Sequence, residues 1–287
     1  MCELARPTDL VALMAVLATM TSRSRLLAGG TDLVPWLHAH GTDGIDLLVD
    51  LSAMRELADV TCDGRAVRVG ALATFAQLAT DPLIATNAPL LATAAAQVGS
   101  TQVRNAATIG GNVANASPCA DGVAVLVALD ARAVLLSRDM VRVVPLTALL
   151  GTSGRPSLAV GEMIAAFEFE TLTPTARSAF AKVGARTAVT VAKVSIAIVV
   201  ELDPATGLIA QASVAFGSLA PAAFRASALE ASLIGRPLDD HTGRVLAAGC
   251  RDVVLASIPG RASLPYKRHA ILGAAADVWQ SLTAPAR

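Results

Sequence analysis

The 287-residue sequence predicts an α+β fold whose helices and strands are arranged differently in the two parts of the chain. Helical and strand patterns alternate irregularly as far as residue 175, whereas strand patterns dominate from Ser178 to Phe216 and helical segments follow. The stretch around Pro174 is rich in Thr and Pro, which marks a boundary between the parts. With 54% hydrophobic and 16% charged residues, the chain is too apolar to be intrinsically disordered.

In the first part, the pattern begins with a small β-α-β unit. Pro7-Thr8-Asp9 is typical of a helix N-cap, and a glycine pair separates the first predicted strand from the second predicted helix. The predicted elements in order are a helix over 9–20, a strand over 26–28, a helix over 32–40, a strand over 45–51, a strand over 66–69, helices over 74–79 and 89–98, a glycine-containing loop over 108–121, and strands over 131–136, 141–145 and 164–170.

In the second part, the strand-rich run precedes three predicted helices. The first of these helices ends at Gly235-Arg236-Pro237, and a Gly followed closely by a Pro is typical of a helix C-terminus. The three helices are predicted near 221–233, 239–256 and 263–282.

Two glycine pairs are candidate ligand-binding segments. Gly29-Gly30 follows a buried strand and precedes a helix, so its N–H groups can converge on an anion such as a pyrophosphate. Gly110-Gly111 lies among Thr, Asn and Ser side chains that can donate hydrogen bonds. One such pair is usually only a turn, but two fit a dinucleotide, which presents a diphosphate and polar sugars. Neither pair matches the Rossmann or P-loop pattern.

Charge and hydropathy exclude several function classes. The 23 Lys and Arg balance 23 Asp and Glu, and there are few aromatic residues, so we expect no nucleic-acid partner. The apolar runs 10–20 and 189–200 are too short for a membrane span, and the N-terminal run lacks the positive charge of a signal peptide. We therefore expect a soluble, cytoplasmic protein. Low charge also suits a subunit covered by partner chains, although apolar surface is common in monomers.

The cysteines do not form a metal-binding pattern. Cys2, Cys62, Cys119 and Cys250 are scattered singly, without a Cys-x-x-Cys pair or a neighbouring His pair. This argues against a zinc finger or a local iron–sulfur site. We expect no metal ligands in this chain.

Four motifs resemble a known family. The chain is similar in them, in this order and without a large gap, to the FAD-binding subunit of the molybdenum hydroxylases, the xanthine dehydrogenase and carbon monoxide dehydrogenase family. The resemblance runs from about residue 5 to 280, and the TIGGN-x-A-N-A-S-P segment is its most specific piece. The motifs are LLAGGTDL at 26–33, VRNAATIGGNVANASPCAD at 103–121, FAKVGAR at 180–186 and PGRASLPYKRHAILG at 259–273.

The resemblance implies an α+β architecture with FAD extended between two subdomains. The fold would be the two-subdomain FAD-binding fold of the vanillyl-alcohol oxidase (PCMH) type, followed by a C-terminal domain with a three-stranded antiparallel sheet and a helical bundle. The expected domains are a small N-terminal α/β subdomain over 1–55, a larger α+β subdomain over 56–175, and the C-terminal domain over 176–287.

The resemblance also implies which residues bind the cofactor, with no catalytic residue among them. The first glycine segment would wrap the diphosphate and the adenosine half, and the second would form another phosphate loop. Asp121 would accept a hydrogen bond from a ribityl or ribose hydroxyl, although it also fits a helix N-cap. The backbone of Ile164 would contact the cofactor. Lys182 would lie beside the flavin pyrimidine edge, although a solvated strand lysine is the simpler interpretation. The full set is Leu26, Leu27, Ala28, Gly29, Gly30, Thr31, Asp32, Leu33, Thr108, Ile109, Gly110, Gly111, Asn112, Ala114, Asn115, Asp121, Ile164 and Lys182.

The implied function is electron transfer within a complex. A large partner subunit would hold a molybdenum cofactor, a small partner subunit would hold two [2Fe-2S] clusters, and this chain would hold FAD. The three subunits would assemble as a dimer of heterotrimers. A flavin suits this place because it takes electrons singly and releases them in pairs, here to NAD, oxygen or a quinone-type acceptor. Two alternatives stay open: a free-standing FAD-dependent reductase of the same fold acting with NADPH, and a flavin-free scaffold subunit.

The sequence departs from the family pattern in one segment. Relatives of xanthine dehydrogenase carry acidic residues just before an Ile-Ala-x-Val run, whereas residues 187–194 read TAVTVAKV here. The resemblance therefore does not identify the electron acceptor. The region between Asp121 and Glu162 lacks a cysteine insertion, which disfavours the reductase branch that carries an extra iron–sulfur cluster.

Overall fold

The computed structural model describes residues 2–187 and 189–284, which adopt an α+β fold with three β-sheets in the described part. The predicted fold class is confirmed at this level. Ala188 of the segment without acidic residues, and the ends of the predicted first and last domains at residues 1 and 285–287, lie outside the described residues. Among the residues described, no helix has the length and hydropathy needed to cross a membrane.

The N-terminal sheet is parallel and has the strand order β1-β3-β2. The predicted β-α-β unit is confirmed, whereas the additional strand over Glu3–Ala5 was not predicted. Asp9 caps the first helix by accepting a hydrogen bond from the Ala12 N–H at 2.8 Å, and Leu13 and Leu17 pack against Val49 in the core. The elements are β1 (Glu3–Ala5), α1 (Leu10–Thr19), β2 (Arg25–Leu27), α2 (Leu33–His40) and β3 (Leu47–Asp50).

The second sheet is antiparallel, and helices pack on one of its faces. Its strand order among the described residues is β4-β5-β8-β6-β7. Alternate residues of the strands, such as Val67 and Phe167, point into a core shared with Phe75, Leu91 and Leu126 of the helices. The elements are a 3₁₀ turn (Arg55–Ala58), β4 (Val60–Cys62), β5 (Ala66–Gly70), α3 (Phe75–Thr80), α4 (Pro82–Asn87), α5 (Pro89–Ala96), α6 (Thr101–Ala106), α7 (Ile109–Ala114), α8 (Asp121–Ala128), β6 (Arg132–Leu136), β7 (Val141–Pro145), α9 (Leu146–Leu150) and β8 (Met163–Glu170).

The predicted loop over 108–121 is wrong for its first half, because Ile109–Ala114 forms the short helix α7. Glycines normally disfavour a helix. Here Thr108 stabilises the first turn, since its Oγ1 accepts a hydrogen bond from the Gly111 N–H at 3.1 Å. A helix with two glycines in six residues has no sequence pattern that distinguishes it from a turn.

The third sheet is antiparallel, and in the described residues it has four strands in the order β12-β11-β10-β9. The prediction of a three-stranded sheet is therefore wrong by one short strand. Phe224–Arg225 pairs with Ala215 and Phe216, and two residues are too few to show alternation, so this stretch was assigned to a helix. The elements are β9 (Ala176–Val183), β10 (Val194–Leu202), β11 (Ile209–Gly217), β12 (Phe224–Arg225), α10 (Ser227–Leu233), α11 (Asp240–Ser257) and α12 (Leu264–Thr283).

Both faces of the third sheet are buried. In β10, Ile196 and Ile198 face the core formed with α11 and α12, whereas Ala197 between them faces the core of the second sheet. The partner on that second face is α8, which is buried on every side and contacts β10 and β11. Side chains of β9 to β11 are thereby brought next to the start of α8 at Asp121.

A buried carboxylate stabilises the edge of this sheet. Glu230 is 8% exposed, and its Oε1 accepts hydrogen bonds from the Val214 N–H at 2.8 Å and the Arg225 Nε at 2.9 Å. Glu230→Ala leaves both donors without their acceptor, so we expect it to lower the free energy of unfolding by about 2–4 kcal/mol in a denaturant titration. Glu170→Ala, at an exposed strand end, serves as the control and should change it by less than about 0.5 kcal/mol. Equal losses in the two variants would contradict this assignment.

Candidate functional site

A cavity of about 930 Å³ lies where the two glycine segments meet. Its size is at the upper end of the range for sites that bind small molecules and cofactors, about 300–1,000 Å³. Most of the predicted cofactor-binding residues line it: all of 26–33, together with Thr108, Gly110, Gly111, Asn112, Ala114, Asn115 and Ile164. Three predicted residues do not line it, namely Ile109, Asp121 and Lys182.

The first glycine segment connects a parallel strand to a helix. β2 ends at Leu27, whose carbonyl accepts a hydrogen bond from the Leu51 N–H at 2.9 Å, and α2 begins at Leu33. Gly30 has a φ of +70°, which side chains other than glycine rarely adopt. The chain therefore turns sharply at the carboxyl end of the strand and leaves its backbone facing the cavity. Helix N-termini in this position carry partial positive charge.

The second glycine segment lies against the end of β5. The Gly110 N–H donates to the Ala71 carbonyl at 2.8 Å, and a Cβ on Gly110 would lie only 2.6 Å from the Ala71 Cβ. Gly110 is therefore required for close packing, while Gly111 beside it lines the cavity. Ile109 is fully buried in the core below, so it supports the segment rather than facing the cavity.

The two segments contact each other directly. A Cβ on Gly29 would lie 1.7 Å from the Ala106 carbonyl oxygen, a distance that no side chain tolerates. Asn115 adds a side-chain link, because its Nδ2 donates to Asp32 Oδ1 at 3.0 Å. Segments 83 residues apart thus form one continuous wall. The sequence located each segment but showed no signal for this contact.

Asp121 and Lys182 form a buried ion pair. Their side chains are 7% and 5% exposed, and the Lys182 Nζ also donates to the Gln97 carbonyl at 2.9 Å. Both simpler interpretations are therefore wrong. Ala120 occupies the N-cap position and Asp121 is the first helical residue without a cap bond, and Lys182 is not a solvated lysine. Burial raises the pKa of the Asp121 carboxyl above its usual range, although the charge and hydrogen bond of Lys182 lower it in part.

A second cavity, of about 590 Å³, contains Lys182. It lies between the residues that connect α5 to α6 and the segment that follows β9. Sequence analysis missed this cavity and Arg104 within it. The signal for Arg104 in the sequence is its place in the Val-Arg-Asn start of the second motif. Trp36, Phe75 and Arg155 of the first cavity were missed as well, because no motif contains them.

Two buried oxygen atoms near these cavities lack a hydrogen-bond partner among the described residues. They are Asp121 Oδ1 and Asn112 Oδ1. Buried polar atoms in native proteins are nearly always paired with protein, water or ligand. The unpaired Asp121 Oδ1 therefore fits a ligand that supplies a hydroxyl donor, as the sugar part of a flavin dinucleotide does, whereas Asn112 Oδ1 lies against Gly122 of α8.

The wall at Ile164 is held by an ion pair behind it. Glu162 accepts bidentate hydrogen bonds from Arg142 at 2.6 and 2.8 Å, and its Oε2 also accepts from the Ala159 N–H at 3.0 Å. The hydrogen bond from Arg142 lowers the pKa of Glu162, so this carboxylate stays charged at neutral pH. Met163 and Ile164 follow directly and line the cavity.

Comparison with known proteins identifies relatives of both parts of the chain. Residues 1–169 match the family model described as the FAD binding domain in molybdopterin dehydrogenase. Residues 179–282 match the model described as the CO dehydrogenase flavoprotein C-terminal domain. The chain is 31% identical to the xanthine dehydrogenase FAD-binding subunit of Escherichia coli O157:H7, over 87% of this chain and 85% of that protein. It is 30% identical to the nicotinate dehydrogenase FAD-subunit of Eubacterium barkeri, over 86% and 84%.

Solved structures share the whole fold. A chain of a carbon monoxide dehydrogenase from Hydrogenophaga pseudoflava, which lacks the Mo-pyranopterin moiety of the molybdenum cofactor, superposes with a TM-score of 0.85 at 26% identity. That match covers 98% of this chain and 96% of the other. A chain of quinoline 2-oxidoreductase from Pseudomonas putida superposes with a TM-score of 0.81 at 25% identity, covering 97% and 98%.

The buried ion pair makes a testable contribution to stability. Lys182→Met removes the cation, which leaves the Asp121 carboxylate buried and unpaired and raises its pKa further. We expect a loss of about 3 kcal/mol of unfolding free energy at neutral pH, measured by denaturant titration. A group whose folded pKa is raised loses its stabilising contribution as pH rises through that pKa, so the deficit should grow from acid to neutral pH.

The double variant Asp121→Asn/Lys182→Met is the matched control. It removes both charges together, so it should recover most of the stability lost in Lys182→Met at neutral pH. A deficit that does not change with pH, or a double variant as unstable as the single one, would show that the two charges do not depend on each other.

Proposed function

The chain belongs to the family of FAD-binding subunits of the molybdopterin dehydrogenases, the xanthine dehydrogenase and carbon monoxide dehydrogenase family, and on that premise we propose how it transfers electrons. It is the flavin subunit of a molybdenum hydroxylase oxidoreductase complex. In our proposal the joined glycine segments would hold one FAD, which would supply the redox centre between two [2Fe-2S] clusters of a small partner subunit and an external acceptor. The observation that carries the proposal is the single wall formed by both segments around one cavity.

The first cavity would hold the diphosphate and the adenosine half. Gly30 and Gly111 leave space for a diphosphate to approach the backbone, and the N–H groups of residues 29–33, which donate to no acceptor among the described residues, would complement its negative charge. Asp32 is the acidic residue of this wall, and its hydrogen bond from Asn115 holds one carboxylate oxygen. The backbone at Ile164 would contact the other end of this half, supported by Glu162 and Arg142.

The buried ion pair would lie beside the rest of the cofactor. Asp121 Oδ1 would accept a hydrogen bond from a ribityl or ribose hydroxyl, which gives this unpaired oxygen its partner. Lys182 would supply positive charge near the pyrimidine edge of the ring, because it lines the second cavity. When bound, FAD supplies a redox centre that accepts electrons singly and releases them in pairs. The chain itself binds, orients and electrostatically tunes that group.

The proposed site also implies a fold type and bounds for the domains. We propose the vanillyl-alcohol oxidase (PCMH) type for the two FAD subdomains, with domains over 1–55, 56–175 and 176–287. In support, the N-terminal parallel sheet ends with β3 at Asp50, and the third sheet begins with β9 at Ala176. The two cavities lie along the contacts between these units, which is where a cofactor extended between subdomains would bind.

The proposed partners are an iron–sulfur small subunit and a large subunit that holds the molybdenum cofactor, assembled as a dimer of heterotrimers. The full-length similarity to a chain of the solved carbon monoxide dehydrogenase, an enzyme with a molybdenum cofactor, supports this assembly. The proposed acceptor is NAD, oxygen or a quinone-type molecule. A free-standing FAD-dependent reductase is the alternative that the experiments below separate.

The first test concerns retention and identity of the flavin. Gly111→Val places a branched side chain in the cavity wall, so the variant should lose its flavin, whereas acid extraction of the wild type should release FAD and no FMN. Gly273→Val is the control, because Gly273 lies on the exposed face of α12 with nothing within 4 Å of its Cβ position. It should retain wild-type flavin content. Full flavin occupancy in Gly111→Val would contradict the proposed site.

The second test concerns the partners. Expressed with its neighbouring genes, the chain should purify in a complex that contains iron, molybdenum and one FAD per copy of this chain. Expressed alone, it should oxidise NAD(P)H or organic substrates only at background rates. A monodisperse chain that turns over NADPH alone at enzymatic rates would support the free-standing reductase, and a complex that contains iron and molybdenum but no flavin would support the scaffold alternative.

A further inference from the structure

The residues connecting α5 to α6 form a wall that the two cavities share. Together with Thr101, the first residue of α6, they form the segment that we call the 97–101 turn. Val98 lines the first cavity, whereas Gln97, Gly99, Ser100 and Thr101 line the second. A ligand that extends from one cavity to the other therefore passes this turn.

Cationic side chains hold the carbonyl groups of the turn. The Arg104 Nη1 donates to the Val98 carbonyl at 3.1 Å and to the Gly99 carbonyl at 3.1 Å. Its Nη2 donates to Thr101 Oγ1 at 3.2 Å. Lys182 donates to the preceding carbonyl, that of Gln97. Three successive carbonyls are thus bound by two buried or half-buried cations.

These bonds determine where the N–H groups of the turn point. In a trans peptide the carbonyl and the following N–H point in opposite directions. Arg104 holds the carbonyls of Val98 and Gly99, so it turns the N–H groups of Gly99 and Ser100 away from itself. Neither N–H donates to an acceptor among the described residues. Two oriented and unused donors therefore lie on the wall between the cavities.

Gly99 is the residue that permits this geometry. Its φ is +46°, and a Cβ at this position would lie 2.8 Å from the Val103 Cγ1. Another residue would strain the backbone and push the turn away from α6. Gly99 therefore permits the backbone conformation of the turn, and Arg104 holds the turn in that conformation. Both residues lie outside the predicted set of cofactor-binding residues.

We propose that Arg104 is a positioning residue for the flavin: it holds the 97–101 turn so that the N–H groups of Gly99 and Ser100 donate hydrogen bonds to the isoalloxazine ring and favour its reduced, negatively charged form. This inference rests on the proposed FAD site. Oriented backbone donors stabilise negative charge more effectively than water does, because they need no reorganisation. Reduction takes two electrons from the iron–sulfur partner and one proton from solvent, which leaves one negative charge on the ring.

The test measures the midpoint potential of the flavin in the purified complex by redox titration of its visible absorption. Gly99→Ala disturbs the turn without changing any charge, Arg104→Lys keeps the charge but loses the paired donors, and Arg104→Met loses both. We expect a lower potential in all three variants, with the largest shift in Arg104→Met. A tenfold loss in the affinity for the reduced over the oxidised flavin corresponds to about 30 mV for two electrons. Arg138→Met removes an exposed arginine that pairs with Asp139 and should leave the potential unchanged.

The outcomes separate this inference from the function on which it rests. A wild-type complex without FAD would overturn the proposed function itself. A complex that binds FAD normally but whose potential shifts only in Arg104→Met would assign the effect to charge alone and overturn the positioning role. Unchanged potentials in all three variants, with weaker FAD binding or a lower melting temperature, would reduce Arg104 to a structural residue and also overturn the inference.

Discussion

The candidate site depends on one close contact, in which the backbone of Gly29 lies against the carbonyl group of Ala106. A Cβ at Gly29 would occupy the position of that carbonyl oxygen, at 1.7 Å, so the contact exists only because the residue is glycine. It joins the end of a parallel β-α unit to helices of the antiparallel subdomain. The hydrogen bond between Asn115 and Asp32, and the cavity itself, follow from this juxtaposition.

The charges of the site are arranged by packing between subdomains. α8 is buried on all sides, so Asp121 at its first position is buried too, and β9 brings Lys182 against it. Neither charge is stable there alone, because an unpaired buried ion costs several kcal/mol. The C-terminal sheet therefore does more than cover the FAD-binding domain. It contributes the buried cation Lys182, which through the Gln97 carbonyl also helps to hold the 97–101 turn.

Much of this could be predicted from the sequence because the signals were local. The glycine pairs lie at strand and helix ends, so their positions were predicted, and the β-α-β unit and the long helices follow from hydrophobic periodicity. The features that could not be predicted were either short elements or contacts between residues that are distant in the sequence. α7 has two glycines and β12 has two residues, so neither shows a period. The burial of Lys182 and the role of Arg104 depend on tertiary contacts that no sequence pattern records.

The most direct test of the account is an experimental structure of the complex with its flavin bound. We expect density for one FAD on this chain that contacts both the 26–33 segment and the 108–115 segment, with its diphosphate against their backbone and its ring beside the 97–101 turn. Density that contacts only one of the two segments, or a flavin bound elsewhere on the chain, would contradict the claim that their contact creates the site.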